Sequence, residues 1–185
     1  MSIFAKVMAK LEKCIFLDFD GVLNTDSYHD DLVTNGLPAE DEFGTKFSPD
    51  AVEQLRTIVE ATQAAIVISS SWRYEGLDAM QQLWKEREMP GEVVDITPLH
   101  VDDNLFSAIQ LDSLDDMSDH TFGIFNMRGR EIQAFLNQHP EVNQYVILDD
   151  GSDILPGQRS HFLQTDPESG ITAAIAQQAI EKLNS

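Results

Sequence analysis

The chain has 185 residues, 42% of them apolar and ten of them phenylalanine, which suits one globular domain over residues 1–185 with a real core and argues against disorder. Asp and Glu outnumber Lys and Arg 32 to 12, a formal charge of −20 that repels nucleic-acid strands and anionic membranes and leaves no basic footprint for a phosphate backbone. The single cysteine excludes an internal disulfide framework, and no apolar run reaches the length of a membrane span.

Residues 1–13 carry Ile3, Phe4, Val7, Met8 and Leu11 at helical spacing with Lys6, Lys10 and Lys13 between them. This reads as a short amphipathic helix or a frayed terminus. It lacks the contiguous apolar segment and cleavage site of a secretory signal, so a cytoplasmic location is the expectation. Cys14 to Leu17 is apolar without polar alternation, the habit of a parallel strand buried on both faces, and Cys14 is read as a small core hydrophobe. The strand runs into Asp18-Phe19-Asp20-Gly21-Val22-Leu23-Asn24. In extended geometry Asp18 and Asp20 point to one side and Phe19 to the other, and Gly21 permits a sharp turn. Two carboxylates so close are tolerated where a cation sits between them or one holds a proton.

From Thr25 to Thr45 the pattern dissolves, which predicts a loop or flap over the acidic strand end. Ser48-Pro49-Asp50 is a helix start, followed by an apolar stripe of Val52, Leu55 and Val59. Ala64 to Ile68 reads as a second buried strand, ending in Ser69-Ser70-Ser71-Trp72-Arg73. A helix over 76–87 is closed by Pro90-Gly91, and Val93 to Thr97 forms a third strand. Between His100 and His120 acidic residues gather, and no Lys or Arg occurs from Glu88 to Met127, which predicts an irregular insertion. Arg128 to Gln138 is helical with Ile132, Phe135 and Leu136 on one face. Tyr145 to Leu148 is another buried strand, leading into Asp149-Asp150-Gly151-Ser152-Asp153. His161 to Leu163 is a short last strand, and a helix over 171–183 turns Ile175, Ala179, Ile180 and Leu183 inward. Strands alternating with helices predict an α/β fold with a mainly parallel sheet and right-handed crossovers.

Three strands therefore end in chemically loaded residues, Asp18/Asp20, Ser69 to Arg73, and Asp149/Asp150/Asp153. In open α/β sheets a ligand site lies outside the carboxyl ends of the strands, so these ends share one edge. Carboxylates without a His/Cys set suit Mg²⁺ better than zinc. The five histidines are scattered singly and make no metal-ligand spacing.

The stretch Asp18-x-Asp20-Gly21-Val22-Leu23 resembles motif I of the haloacid dehalogenase (HAD) superfamily, and the order of loaded strand ends matches that superfamily along nearly the whole chain. The resemblance implies a HAD-like Rossmannoid three-layer sandwich with a small or minimal cap. Its caps would be inserted at 25–45 and 97–127, both short and irregular here. It implies that Ser69 (with Ser70 or Ser71 as rivals) and Arg128 (with Arg130 as rival) contact a phosphoryl group. The metal set would be Asp18, Asp20 through its carbonyl, and a pair drawn from Asp149, Asp150 and Asp153. More narrowly, Ile-Ser-Ser-Ser-Trp-Arg, Arg-Gly-Arg-Glu-Ile and Tyr-Val-Ile-Leu-Asp-Asp resemble a HAD branch associated with RNA-repair enzymes and akin to polynucleotide kinase-phosphatases. That branch also gives Arg73 a phosphate contact.

The implied activity is a Mg²⁺-dependent phosphatase acting on phosphomonoesters, with Asp18 as nucleophile forming an aspartyl-phosphate and Asp20 as general acid and base. Asp20 argues against a dehalogenase, which lacks an acid there. A polynucleotide end phosphatase is the first alternative, although the net charge disfavours stable nucleic-acid binding. The second is a phosphorylatable receiver or inert Mg²⁺-binding module. A receiver carries its acidic pair first and its phosphorylated Asp on a later strand, without Asp-x-Asp-Gly. The substrate could be a small molecule, a nucleotide or a nucleic-acid end.

Overall fold

The computed structural model describes residues 11–99 and 127–185. Five parallel strands form the central sheet: β1 (Lys13–Leu17), β4 (Ala65–Ile68), β5 (Val93–Ile96), β6 (Gln144–Asp149) and β7 (Phe162–Gln164). Their spatial order is β5-β4-β1-β6-β7. The chain builds outward from β1 in one direction and then returns to build outward on its other side. The order thus reverses between β1 and β6, and a crevice opens there at the carboxyl ends.

The alternation of side chains sorts the strand residues into two cores. Ile15, Leu17, Ile66, Ile68, Val146 and Leu148 face one side. They pack there with α2 (Pro49–Thr62), α3 (Leu77–Glu86) and α5 (Ala173–Leu183). Cys14, Phe16, Val67 and Ile147 face the other, where α4 (Met127–Gln138) contributes Ile132 and Phe135. Phe16 meets Phe135 edge-on at a centroid distance of 5.4 Å. Burial raises the Cys14 thiol to about 12, so it is the inert core hydrophobe its strand position predicts.

Two expectations change. Residues 25–45 are not a plain loop but hold α1 (Asp26–Thr34) and a ribbon of β2 (Glu40–Asp41) and β3 (Gly44–Thr45). Thr25 caps α1, its hydroxyl accepting from the Tyr28 amide at 3.4 Å. Only Leu32 of α1 is buried, so no apolar period was there to read. In α2 the buried stripe is Ala51, Leu55, Ile58 and Thr62, while Val52 and Val59 are half-buried at its margin. The predicted face is correct at Leu55 and rotated around it. The terminal helix expected over residues 1–13 and the insertion expected over 97–127 lie outside the described residues, apart from residues 11–13, Thr97 to Leu99 and Met127. Among the described residues no helix is long and apolar enough to cross a membrane.

Candidate active site at the carboxyl ends of β1, β4 and β6

Strand register sets the site. Leu17 pairs with Ile68 on one side and Leu148 on the other, and Ile68 pairs with Ile96. One residue further along stand Thr97, Ser69, Asp18 and Asp149 in a row. The Ser69 amide bonds to the Leu17 carbonyl at 2.9 Å and the Asp18 amide to that of Leu148 at 3.0 Å, so the row is tied to the sheet. Since Leu17, Ile68 and Leu148 face the first core, the next residues face the opposite side, toward α4.

Arg128, in the first turn of α4, meets them there. Its Nη2 donates to Asp18 Oδ2 at 2.9 Å, and its Nε lies 3.0 Å from Asp149 Oδ2. Asp153 holds the start of α4: its Oδ2 accepts from the Arg128 amide at 3.2 Å and its carbonyl from the Gly129 amide at 3.0 Å. Gly129 is required, because a Cβ there would lie 2.4 Å from the Leu155 backbone nitrogen. Of the two candidate arginines, Arg128 therefore pairs with Asp18 and Asp149.

Asp18, Asp149 and Asp150 can place one carboxylate oxygen each within 4.8 Å of one another. Asp150 is brought close by Gly21, whose φ of +65° and bare Cα admit it; a Cβ would lie 2.6 Å from Asp150 Oδ2. The donor set is all oxygen, and Asp149 Oδ2 is buried without a hydrogen-bond donor of good geometry. That combination fits a hard divalent cation. Of the two rivals, Asp150 joins the cluster, whereas Asp153 caps the start of α4.

Burial, and then the charge of Asp18, push the Asp149 carboxyl up to about 7, with Arg128 opposing them. Asp150 is raised for the same two reasons. An unfolded aspartate ionises near 3.9. Between about 4 and 7 the cation-free folded chain therefore binds more protons at Asp149 than the unfolded chain, and its stability falls as pH rises through that window. A cation must displace the same proton. If the cluster holds Mg²⁺, affinity should rise by up to about tenfold per pH unit below about 7 for this proton and level off above it, as calorimetric titrations from pH 5.5 to 8 would read.

Among the described residues, Ser69 Oγ and Arg128 Nη1 beside Asp18 are buried donors without a partner, as is Thr97 Oγ1 further along the row. Ser70 differs, because its hydroxyl accepts from the Trp72 amide at 3.4 Å and caps the short 3₁₀ turn over Ser71–Glu75. Ser71 is exposed. Arg73 is 2% exposed and every nitrogen of its guanidinium has a partner. Nη1 donates to the Ser69 and Ser70 carbonyls at 2.9 and 2.6 Å, Nε to the Thr97 carbonyl at 3.2 Å, and Nη2 lies 2.6 Å from Glu131 of α4. Asp20 lies outside the carboxylate cluster, with Asn24 Nδ2 donating to it at 2.8 Å.

Residues 14–176 match the family described as the HAD domain in Swiss Army Knife RNA repair proteins. The chain belongs to this family. No curated protein and no solved structure matches it. Membership supports a HAD-type phosphohydrolase, and the parallel sheet with helices on both faces is the HAD-like Rossmannoid layering expected above. Glu131, Trp72 and Asn24 of this HAD domain were missed from sequence. Trp72 and Asn24 lie within the quoted motif stretches without a role assigned, and Glu131 is an acid beside Ile132 on a face that is otherwise apolar.

Proposed function

We propose that the protein is a Mg²⁺-dependent phosphomonoesterase that works through an aspartyl-phosphate on Asp18. One observation carries the reading: Asp18 is flanked in register by Ser69 and Asp149 and approached by Arg128, with Ser69 Oγ and Arg128 Nη1 buried beside it and without a partner among the described residues. Buried donors without acceptors cost about 1–3 kcal/mol each, and phosphoryl oxygens are acceptors that would relieve both. Asp18, Asp149 and Asp150, with the Asp20 carbonyl, would hold Mg²⁺, which when bound offsets charge on the phosphoryl oxygens.

Asp18 attacks phosphorus, the bond to the leaving oxygen breaks, and Asp20 supplies that oxygen with a proton. Water then attacks the phosphorus, Asp20 takes its proton, and the Asp18 carboxylate and inorganic phosphate are released. Arg128 neutralises Asp18 and the transferring group throughout. Arg73 acts on this site through the serine loop, whose two carbonyls it grips.

The family's association with RNA repair favours a phosphate-bearing RNA end as one substrate class. With a net charge of −20 such an end would be taken as a terminus in a local pocket, without stable binding of a long strand. p-Nitrophenyl phosphate is the first test. Turnover with Mg²⁺, loss of it with EDTA, and recovery on adding Mg²⁺ back are expected. Turnover unchanged by EDTA would contradict the proposal.

A further inference from the structure

Asp20 is the candidate catalytic carboxylate that stands apart from the cation cluster, and its side chain is exposed. An exposed aspartate samples several rotamers, whereas a proton donor must stay within hydrogen-bond reach of the leaving oxygen. Something has to hold it. Asn24 Nδ2 donates to Oδ1, and Trp72 Nε1 lies 3.2 Å from both Oδ1 and Oδ2.

Trp72 is itself fixed on several sides. Its ring meets Phe19 edge-on at a centroid distance of 5.5 Å and tilts against Phe47 at 6.0 Å. Gly44 of the β2–β3 ribbon comes so close that a Cβ there would lie 3.0 Å from Trp72 Cη2. Arg87 spans the remaining gap, its guanidinium 4.3 Å from the Phe47 ring centroid and 5.8 Å from that of Trp72. Arg87 also forks onto Asp41 at 2.7 and 3.1 Å, and so fastens the ribbon to the end of α3.

The indole N–H is a donor only, so it orients a carboxyl without competing for its proton. Asp20 Oδ1 receives two donors and Oδ2 shares one. Trp72 also lines an open groove of about 720 Å³ between the ribbon and α3, together with Phe43, Tyr74 and Met80. That volume is of the size that receives an organic group, and it begins at the ring that holds Asp20.

We infer that Trp72 is a positioning residue, holding the Asp20 carboxyl toward the leaving group. The inference rests on the phosphomonoesterase reading above. Protonation of the leaving oxygen matters little for a p-nitrophenolate and greatly for an alkoxide. A positioning role thus predicts a substrate-dependent loss that a packing role does not.

The test is kcat/KM of Trp72→Phe on p-nitrophenyl phosphate and on glycerol phosphate, because this ratio reports the first phosphoryl transfer. A fall of a few-fold on the aryl ester and of about 30-fold on the alkyl ester is expected, within the range of general-acid catalysis. In an Asp20→Asn background the same substitution should cost almost nothing more. Equal losses on both esters, or losses that multiply with Asp20→Asn, would overturn the inference. If circular dichroism shows Trp72→Phe unfolded, Trp72→Tyr carries the same comparison. Wild-type protein that turns over neither ester, while folded and loaded with Mg²⁺, overturns the phosphomonoesterase reading and this inference with it.

Discussion

Asp18→Asn is expected to lower turnover of p-nitrophenyl phosphate by about 10⁴-fold or more, the scale seen when a covalent nucleophile is removed. The amide is nearly the same size and still accepts from the Phe19 amide, which bonds to Asp18 Oδ1 at 2.7 Å, so the fold should survive. What it loses is the negative charge that attacks phosphorus and pairs with Arg128. Steady-state kinetics, with thermal melting as a control for folding, check this. Residual activity within tenfold of wild type would remove Asp18 from the nucleophile's role.

Glu131→Ala is expected to cost about 3–5 kcal/mol, the penalty for leaving a buried charge without its partner. Arg73 and Glu131 are 2% and 6% exposed in their side chains, and burial disfavours the charged form of each. Burial pushes the Glu131 carboxyl up and the Arg73 guanidinium down, while in both cases the partner's charge resists. Removing Glu131 takes away that resistance and leaves the guanidinium in a site with little water. A fall in Tm on the order of 10 °C follows for a chain of this size. Activity should fall as well, since Arg73 ties the Ser69–Ser70 carbonyls, the end of β5 at Thr97 and the helix bearing Arg128 into one unit. The double substitution Arg73→Met/Glu131→Leu removes the stranded charge but leaves three carbonyls without that donor, so it should recover part of the stability and little of the activity. Urea melts and kinetics on the two proteins separate these effects.

The strands were legible because each is a short apolar run that stops abruptly at polar residues. The register then follows from burial, since a slip of one residue would turn Leu17, Ile68 and Leu148 away from their core. The site's row was legible for the same reason, as Ser69 and Asp149 follow directly on buried strands. The helix α1 left no trace, because an element with one buried side chain has no period. The roles around Asp20 and Arg73 could not be read locally either. Trp72 reaches Asp20 across 52 positions, and Arg73 meets Glu131 only because α4 returns over the sheet. Carboxylates at strand ends declare themselves in sequence, whereas the groups that orient them arrive from distant elements.

The most direct test of the central claim is rapid-quench mass spectrometry of the protein mixed with Mg²⁺ and excess p-nitrophenyl phosphate. The account predicts a phosphoryl group on the peptide containing Asp18, labile to hydroxylamine as an acyl phosphate is, and absent from Asp18→Asn. Turnover with no protein-bound phosphoryl group at the earliest times, or a phosphoryl group on another residue, would contradict it.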